Sequence, residues 1–383
     1  MSFYEILRRT TIAKKLRKLK NLNRIKKELL PKDVVKMLEI NPDKIPAALE
    51  LRLQRLPDEG KSLLLKLDEV YKKSALSRIP EPDETKCKDD MLFWHFAYGF
   101  SFNEYVSYHF ENLDKDERLE FASDRDSVSF CLEMNDIEDI SILRDKANTY
   151  KYFKPYFKRD AIIITDYSDF DSFLSFLNHH KSFVKKNVYE SCGRSVELVN
   201  SDDIIENPKE YFERLLSEGK ILLEALIIQS NELKAINSSS VNTLRVTTFR
   251  TKDGVKPFFL MMKNGRKGMF VDNGGAGGLI VAVDKSTGIL GSATDEFGNR
   301  FDEHPDSGFK YIGYQLPDFE QALNMCCEMS EKLPSVRIIG WDIAHTENGW
   351  VCVEGNSMTE FIGPQSTQLR GIRKEAEQLK NSI

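Results

Sequence analysis

Two carboxylates and an amide gather near the end of this sequence in a spacing that suits a divalent cation. Residues 336–345 and 350–355 read as the strands of a β-hairpin that turns at Glu347-Asn348-Gly349. Asp342 lies on the first strand, and Glu354 and Asn356 flank Gly355 at the end of the second. Residues two apart on a strand share a face, so Glu354 and Asn356 point the same way, beside Asp342 of the paired strand. Hard oxygen donors set out like this suit Mg2+, which keeps positions open for phosphate and water. The flanking Ile338, Ile339, Ile343, Val351 and Val353 would bury the hairpin, and buried acids require a compensating cation. A solvated strand end with a glycine turn is the alternative reading.

A second signal is Asp272-Asn273-Gly274-Gly275-Ala276-Gly277-Gly278, leading into a strand pattern at 279–284. Small residues in succession expose backbone N–H groups that can cradle an anion, and they let a substrate approach the backbone. A plain glycine-rich hairpin loop has the same composition. Lys185 stands in Phe183-Val184-Lys185-Lys186, shortly before Ser191-Cys192-Gly193-Arg194-Ser195. A lysine there can meet phosphate as a point charge while the loop closes over it. Arg245 lies within the apolar run 241–249, where an unpaired guanidinium would be costly. It needs an anion, either a bound phosphate or carboxylate or an internal salt bridge. The nearest acids in sequence, Glu232 and Asp253, lie beyond the ends of the run, which favours the ligand.

The scaffold that must position these residues changes character along the chain. Before residue 190 the only glycines are Gly60 and Gly99, and apolar residues recur at helical spacing. Helices are expected at 34–40, 47–56 and 61–76, with breaks at Pro42, Pro46 and Pro57, then a linker near 79–83. The aromatics of 92–110 read as core. From residue 161 strands alternate with helices: strands at 161–165, 183–188, 195–199, 221–228, 243–250, 257–263, 279–284 and 289–293, and helices at 169–179, 208–217, 319–333 and 365–379. The expected division is a mainly helical region 1–155, a central α+β unit 156–228 and a C-terminal α+β unit 229–383.

Composition narrows the function classes. A formal net charge of −5 argues against a nucleic-acid binder. No apolar run approaches the roughly 20 residues of a membrane-spanning helix, and the charged start lacks a signal-peptide pattern, so a cytoplasmic protein is expected. None of the six cysteines shows zinc or disulfide spacing, and the histidines are scattered, so no chemistry is built on either type. Residues 1–30 carry ten Lys and Arg among apolar residues at helical spacing. They read either as an N-terminal helix packed on its own domain, the favoured reading, or as a surface for anionic lipid at the inner membrane face.

Taken in order, these stretches resemble the ATP-grasp superfamily, and most closely its branch associated with sugar transfer and polysaccharide gene clusters. The matching strings are Arg144-Asp145-Lys146, residues 183–195, Leu222-Leu223-Glu224-Ala225-Leu226-Ile227, Asn242-Thr243-Leu244-Arg245, residues 272–278, Gly340-Trp341-Asp342-Ile343-Ala344 and Glu354-Gly355-Asn356. The resemblance implies an α+β ATP-grasp fold, two subdomains enclosing ATP, preceded by a mainly helical region. It implies Lys146 and Lys185 as phosphate-binding lysines, with Ser191 and Gly193 in the covering loop. Glu224, Ala225, Leu226 and Ile227 correspond to the hinge whose main chain reads adenine, and Asn231 or Glu232 to the ribose contact. Arg245 corresponds to the arginine on the transferred phosphate, Asn273, Gly277 and Gly278 to the acceptor loop, and Asp342, Glu354 and Asn356 to the Mg2+ ligands. The sequence departs from the pattern at Lys186, where a proline is usual, and at Cys192 and Ser195, where glycines are common.

The reaction this implies joins a carboxylate, activated by ATP as an acyl phosphate, to an amine. The substrates would be small molecules, for instance a sugar-linked uronic acid and an amino acid in surface-polysaccharide synthesis. Rivals on the same fold are a phosphotransferase acting on a sugar hydroxyl and a non-catalytic ATP-binding assembly partner; the intact acid set disfavours the latter.

Overall fold

The computed structural model describes residues 29–135, 137–189, 196–270 and 277–383, so most of the basic segment 1–30 lies outside the described residues. The chain forms two compact units, differently divided from the expected 1–155, 156–228 and 229–383. One comprises Met1–Ile137, Thr294–Phe301 and Met358–Ile383; the other comprises Glu138–Ala293 and Asp302–Ser357. Among the described residues no helix is long and apolar enough to cross a membrane.

The first unit is helical, led by Lys32–Ile40, Ile45–Gln54, Pro57–Lys73, Asp83–Tyr98 and Asp124–Met134. Pro57, expected as a break, instead opens a helix, where its missing N–H costs nothing. The aromatic run forms the core, with Phe93, Trp94, Phe96, Phe100, Tyr105, Tyr108 and Phe110 buried. Within it Glu104 is buried and accepts from the Ser101 N–H at 2.6 Å and the Asp124 N–H at 2.5 Å, so one carboxylate serves two helix starts. The single helix expected at 365–379 is two, Ile362–Gln368 and Arg373–Lys380. Leu369 takes a positive φ of 48° and Gly371 lies against the Glu120 backbone, where a Cβ would come within 2.1 Å of the carbonyl oxygen. That approach, invisible to periodicity, ends the helix.

The second unit holds two sheets. In the smaller, β1 (Ala161–Ile164), β2 (Ser182–Asn187), β3 (Val196–Asn200) and β4 (Ile221–Ala225) take the order β1-β4-β2-β3, all antiparallel. Helices Phe170–His179 and Pro208–Glu218 share a core with it through Phe173, Phe176, Phe212 and Leu215 against Phe183, Ile221 and Leu223. The strand expected at 221–228 stops at Ala225. Ile228 is 78% exposed, and the chain crosses to the other sheet, where Ser230 N–H donates to the His345 carbonyl. The larger sheet is built from β5 (Thr243–Thr251), β6 (Gly254–Asn264), β7 (Leu279–Val283), β8 (Leu290–Thr294), β10 (Ile338–Thr346) and β11 (Gly349–Asn356), in the order β11-β10-β5-β6-β7-β8. The short β9 (Arg300–Phe301) belongs to a segment of the first unit. Helix Phe319–Glu331 packs on one face, where the Trp341 indole donates to Ser330 Oγ at 2.7 Å. Two α+β layers of this kind are the architecture expected from the sequence.

Glu104 makes stability pH-dependent. Burial pushes its carboxyl from 4.5 to about 7 against the pull of its N–H partners. A folded-state value above the unfolded one means the native chain binds the extra proton, so this contribution to stability is lost as pH rises through that window. Urea unfolding of wild type and Glu104→Gln, which cannot ionise, should show the difference moving in the variant's favour between pH 5 and pH 8, by up to about 3 kcal/mol. An unchanged difference would contradict the assignment.

Candidate active site

One face of the large sheet gathers charged side chains from four strands. Asp342 of β10 lies opposite Glu354 of β11, and Gly340 opposite Asn356, so these side chains share a face. A register shift between Asp342 and Ile343 leaves Val353 without a partner and turns the end of β11. Gly355 is required there: a Cβ would stand 2.5 Å from the Trp341 ring. On the other side of β10, Asp342 pairs with Arg245 of β5, while Met261 of β6 pairs with Arg245 and Lys263 follows two residues on. Period two therefore aims Arg245 and Lys263 at Asp342. The guanidinium grips the carboxylate through Nε and Nη2, the latter at 2.7 Å, and Lys263 Nζ is 2.7 Å from Oδ2.

Asp342 is 3% exposed. Burial alone would raise its carboxyl, but Arg245 and Lys263 outweigh it and hold the group far below the ordinary carboxylate range. The anion sought for Arg245 is thus present in the fold, on the neighbouring strand rather than the neighbouring sequence.

The donor set accommodates a hard cation with one restriction. Among the described residues no three His, Cys, Asp or Glu side chains group as a metal site. Two carboxylates and an amide do converge, however, with Asn356 Nδ2 donating to Glu354 Oε1 at 3.1 Å. An ionised carboxylate offers about four lone-pair positions, of which Asp342 has three occupied by Arg245 and Lys263. One remains, on Oδ1, so the set fits Mg2+ mainly through Glu354 and Asn356, with Asp342 as a shared ligand.

The small sheet turns its two adjacent lysines to opposite faces. Lys185 lies opposite Leu223 and Glu197, on the face covered by helices; it is 8% exposed, with Nζ 2.8 Å from both Glu197 and Glu218. Its charge is already balanced there. Val184 lies opposite Glu224, so Lys186, two residues on, projects to the Glu224 face, with Nζ 2.5 Å from that carboxylate. Arg159 joins them, donating from Nη2 to both Glu224 oxygens at 3.2 and 3.1 Å and from Nη1 to the Cys352 carbonyl at 2.6 Å. Burial would raise the Glu224 carboxyl, but Arg159 and Lys186 keep it below its ordinary value. Lys146 opens the helix Lys146–Phe157, capped by Asp145, and its N–H donates to the Val188 carbonyl beyond β2. Asp145 itself pairs with Lys220 at 2.6 Å.

Beyond Glu224 and Ala225, residues 226–228 have no regular structure, and Leu226 is 38% exposed. The segment is then fixed by amides. Gln229 donates to the Asn237 and Ser240 carbonyls and accepts from Asn242, whose Oδ1 accepts from Asn264. Asn231 N–H donates to Glu347, and Glu232 is exposed just after it. Gly277 takes a positive φ of 96°, with no described residue within 4 Å of the place a Cβ would take, and Gly278 follows just before β7. Ser191, Gly193 and Asn273 lie outside the described residues. Sequence reasoning missed Lys186, Arg159 and Lys263. All three depend on pairings between distant segments, Lys186 on the register of β2 against β4.

Comparison with known proteins gives the family. The model of sugar-transfer associated ATP-grasp proteins matches residues 125–381. No curated protein matches the sequence. Among solved structures, D-alanine–D-alanine ligase from Helicobacter pylori is similar at 16% identity, over 65% of this chain and 64% of that one, with a TM-score of 0.41. N5-carboxyaminoimidazole synthetase from Staphylococcus aureus, in complex with ADP, is 12% identical over 65% of this chain and 54% of that one, with a TM-score of 0.40. This chain spans less than two thirds of either, and likeness at that level does not bear on chemistry.

The pairing of Arg245 with Asp342 can be measured with a chelator present. Arg245→Met and Asp342→Asn should each destabilise the fold, by about 3 kcal/mol, because each leaves a buried charge undercompensated. The double variant should cost less than the sum, with a coupling of about 1–3 kcal/mol in denaturant unfolding. Additive costs would show that the two residues do not depend on each other.

Proposed function

Since the chain belongs to the sugar-transfer associated ATP-grasp family, we propose that it is an ATP-dependent carboxylate–amine ligase working through an acyl phosphate. The observation that carries this reading is the shared sheet face on which Asp342, Glu354 and Asn356 meet Arg245 and Lys263. Acidic oxygen donors beside two cations suit a polyphosphate with its counter-ion.

In the proposed reaction an oxygen of the substrate carboxylate attacks the γ-phosphorus of ATP, and the bond to the β-phosphate oxygen breaks, releasing ADP. The amine then attacks the acyl carbon, inorganic phosphate leaves, and the amine proton is lost to solvent. Lys186 and Lys146 are assigned to the phosphates; Lys186 replaces Lys185 because Lys185 is engaged on the other face of β2. Residues 224–227 are assigned to adenine through their main chain, and Asn231 or Glu232 to the ribose. Arg245, with Lys263, is assigned to the transferred phosphate and the oxyanion that follows. Glu354, Asn356 and Asp342 would hold Mg2+, which when bound neutralises phosphate charge. The acceptor loop at 272–278 is assigned to the second substrate. A sugar-linked uronic acid and an amine or amino acid, in surface-polysaccharide synthesis, are the proposed substrates. The family's association with sugar transfer supports them. The cytoplasm is the proposed location.

Incubation of the full chain with Mg·ATP and pooled uronic acids and amines tests the reaction class by mass spectrometry. ADP, phosphate and a new amide are expected. A phosphorylated sugar would select phosphotransfer to a hydroxyl, and bound but unconsumed ATP would select a non-catalytic partner. With the active pair identified, Glu354→Gln should lower turnover at least ~100-fold while the melting temperature holds, because a hard anionic ligand is lost.

A further inference from the structure

Glu224 shares its carboxylate between two cations, and only one of them is anchored. Arg159 is held at several points: Nη2 donates to both Glu224 oxygens, Nη1 reaches the Cys352 carbonyl, and the guanidinium lies 4.6 Å from the Phe157 ring centre. Among the described residues Lys186 has a single contact of this kind, its Nζ on Glu224 Oε2 at 2.5 Å. With one carboxylate against two cations, the cluster carries a surplus positive charge on a face with Glu224 2% exposed. A flexible ammonium can leave such a pair; a guanidinium held by a carboxylate, a carbonyl and a ring is far less able to.

We infer that Arg159 is a positioning residue that keeps Glu224 neutralised while Lys186 is drawn away to an anionic ligand. The inference rests on the reading above, in which that ligand is the phosphate chain of ATP. If Lys186 were Glu224's only counter-ion, binding would strand a buried carboxylate, a cost charged directly against affinity. Arg159 removes that cost, so Lys186 behaves as a cation held in reserve. The same guanidinium fixes the nucleotide strand to the metal hairpin. Cys352 lies two residues before Glu354 and next to the unpaired Val353, so the hydrogen bond to its carbonyl ties β4 to the bulge that turns Glu354. Lysine could not replace it, since it lacks the fork that bridges carboxylate and carbonyl.

Titration calorimetry of the full chain with Mg·ATP, alongside melting temperatures, tests this. Arg159→Met should raise the Kd at least about tenfold, because Lys186 is then retained by Glu224. Adding Glu224→Gln to that variant should return the Kd to within about threefold of wild type, since the ammonium no longer has a charge to abandon. A purely structural Arg159 would not be rescued by removing its partner. Wild-type affinity in a folded Arg159→Met chain overturns the inference, and so does a double variant that stays weak. Should Arg159→Met fail to fold, Glu224→Gln alone decides: binding at least as tight as wild type is expected, and a loss of about tenfold overturns the proposal. A wild-type chain that binds no nucleotide overturns the ligase reading as well, whereas a binding wild type with failed rescue overturns only the role of Arg159.

Discussion

A carboxylate removed from water has to be neutralised, and the arrangement of the large sheet follows from that requirement at Asp342. Its oxygens are gripped by Arg245 from β5 and Lys263 from β6. Those two strands are paired in a register that puts all three side chains on one face. A slip of one residue would turn every one of them to the apolar face, where Trp341, Val246 and Leu260 sit buried. The register is therefore set twice, by apolar packing on one face and by ionic pairing on the other. The bulge at Val353 and the bare Cα of Gly355 then bring Glu354 and Asn356 to the same face.

The small sheet repeats the device. Glu224 is buried like Asp342 and balanced by one arginine and one lysine. Arg245 binds Asp342 through two nitrogens, and Arg159 spans both Glu224 oxygens with Nη2, whereas each lysine offers a single ammonium. Breaking the buried arginine pairs would cost several kcal/mol, whereas a lysine can exchange one oxygen anion for another at far lower cost. Rigid and exchangeable cations side by side suit a site that must bind a polyanion and let it go. The arginine of the small sheet also reaches the carbonyl of Cys352, so the two charge clusters are coupled through the main chain of β11.

Local features of this site were legible in the sequence, and features that depend on long-range pairing were not. The hairpin with Asp342, Glu354 and Asn356 could be read because its turn and both strands lie within about twenty residues, close enough for alternation to define faces. Most strands and helices followed from periodicity in the same way. Arg245 was rightly seen to need an anion, but Asp342 is far away in sequence and only strand pairing brings it near. The choice between Lys185 and Lys186 turned on parity with Glu224, which adjacency in sequence does not reveal. The last helix broke because Gly371 meets the Glu120 backbone, a contact with no local trace.

The central claim is that the phosphates of ATP are met from the Glu224 face of β2, by Lys186 and not by Lys185. Binding of Mg·ATP to Lys186→Met and Lys185→Met, with melting temperatures recorded for both, tests it most directly. The account predicts that Lys186→Met keeps its stability and loses affinity at least about tenfold, whereas Lys185→Met melts lower and binds ATP nearly as wild type does. Loss of affinity in Lys185→Met with wild-type binding in Lys186→Met would contradict it.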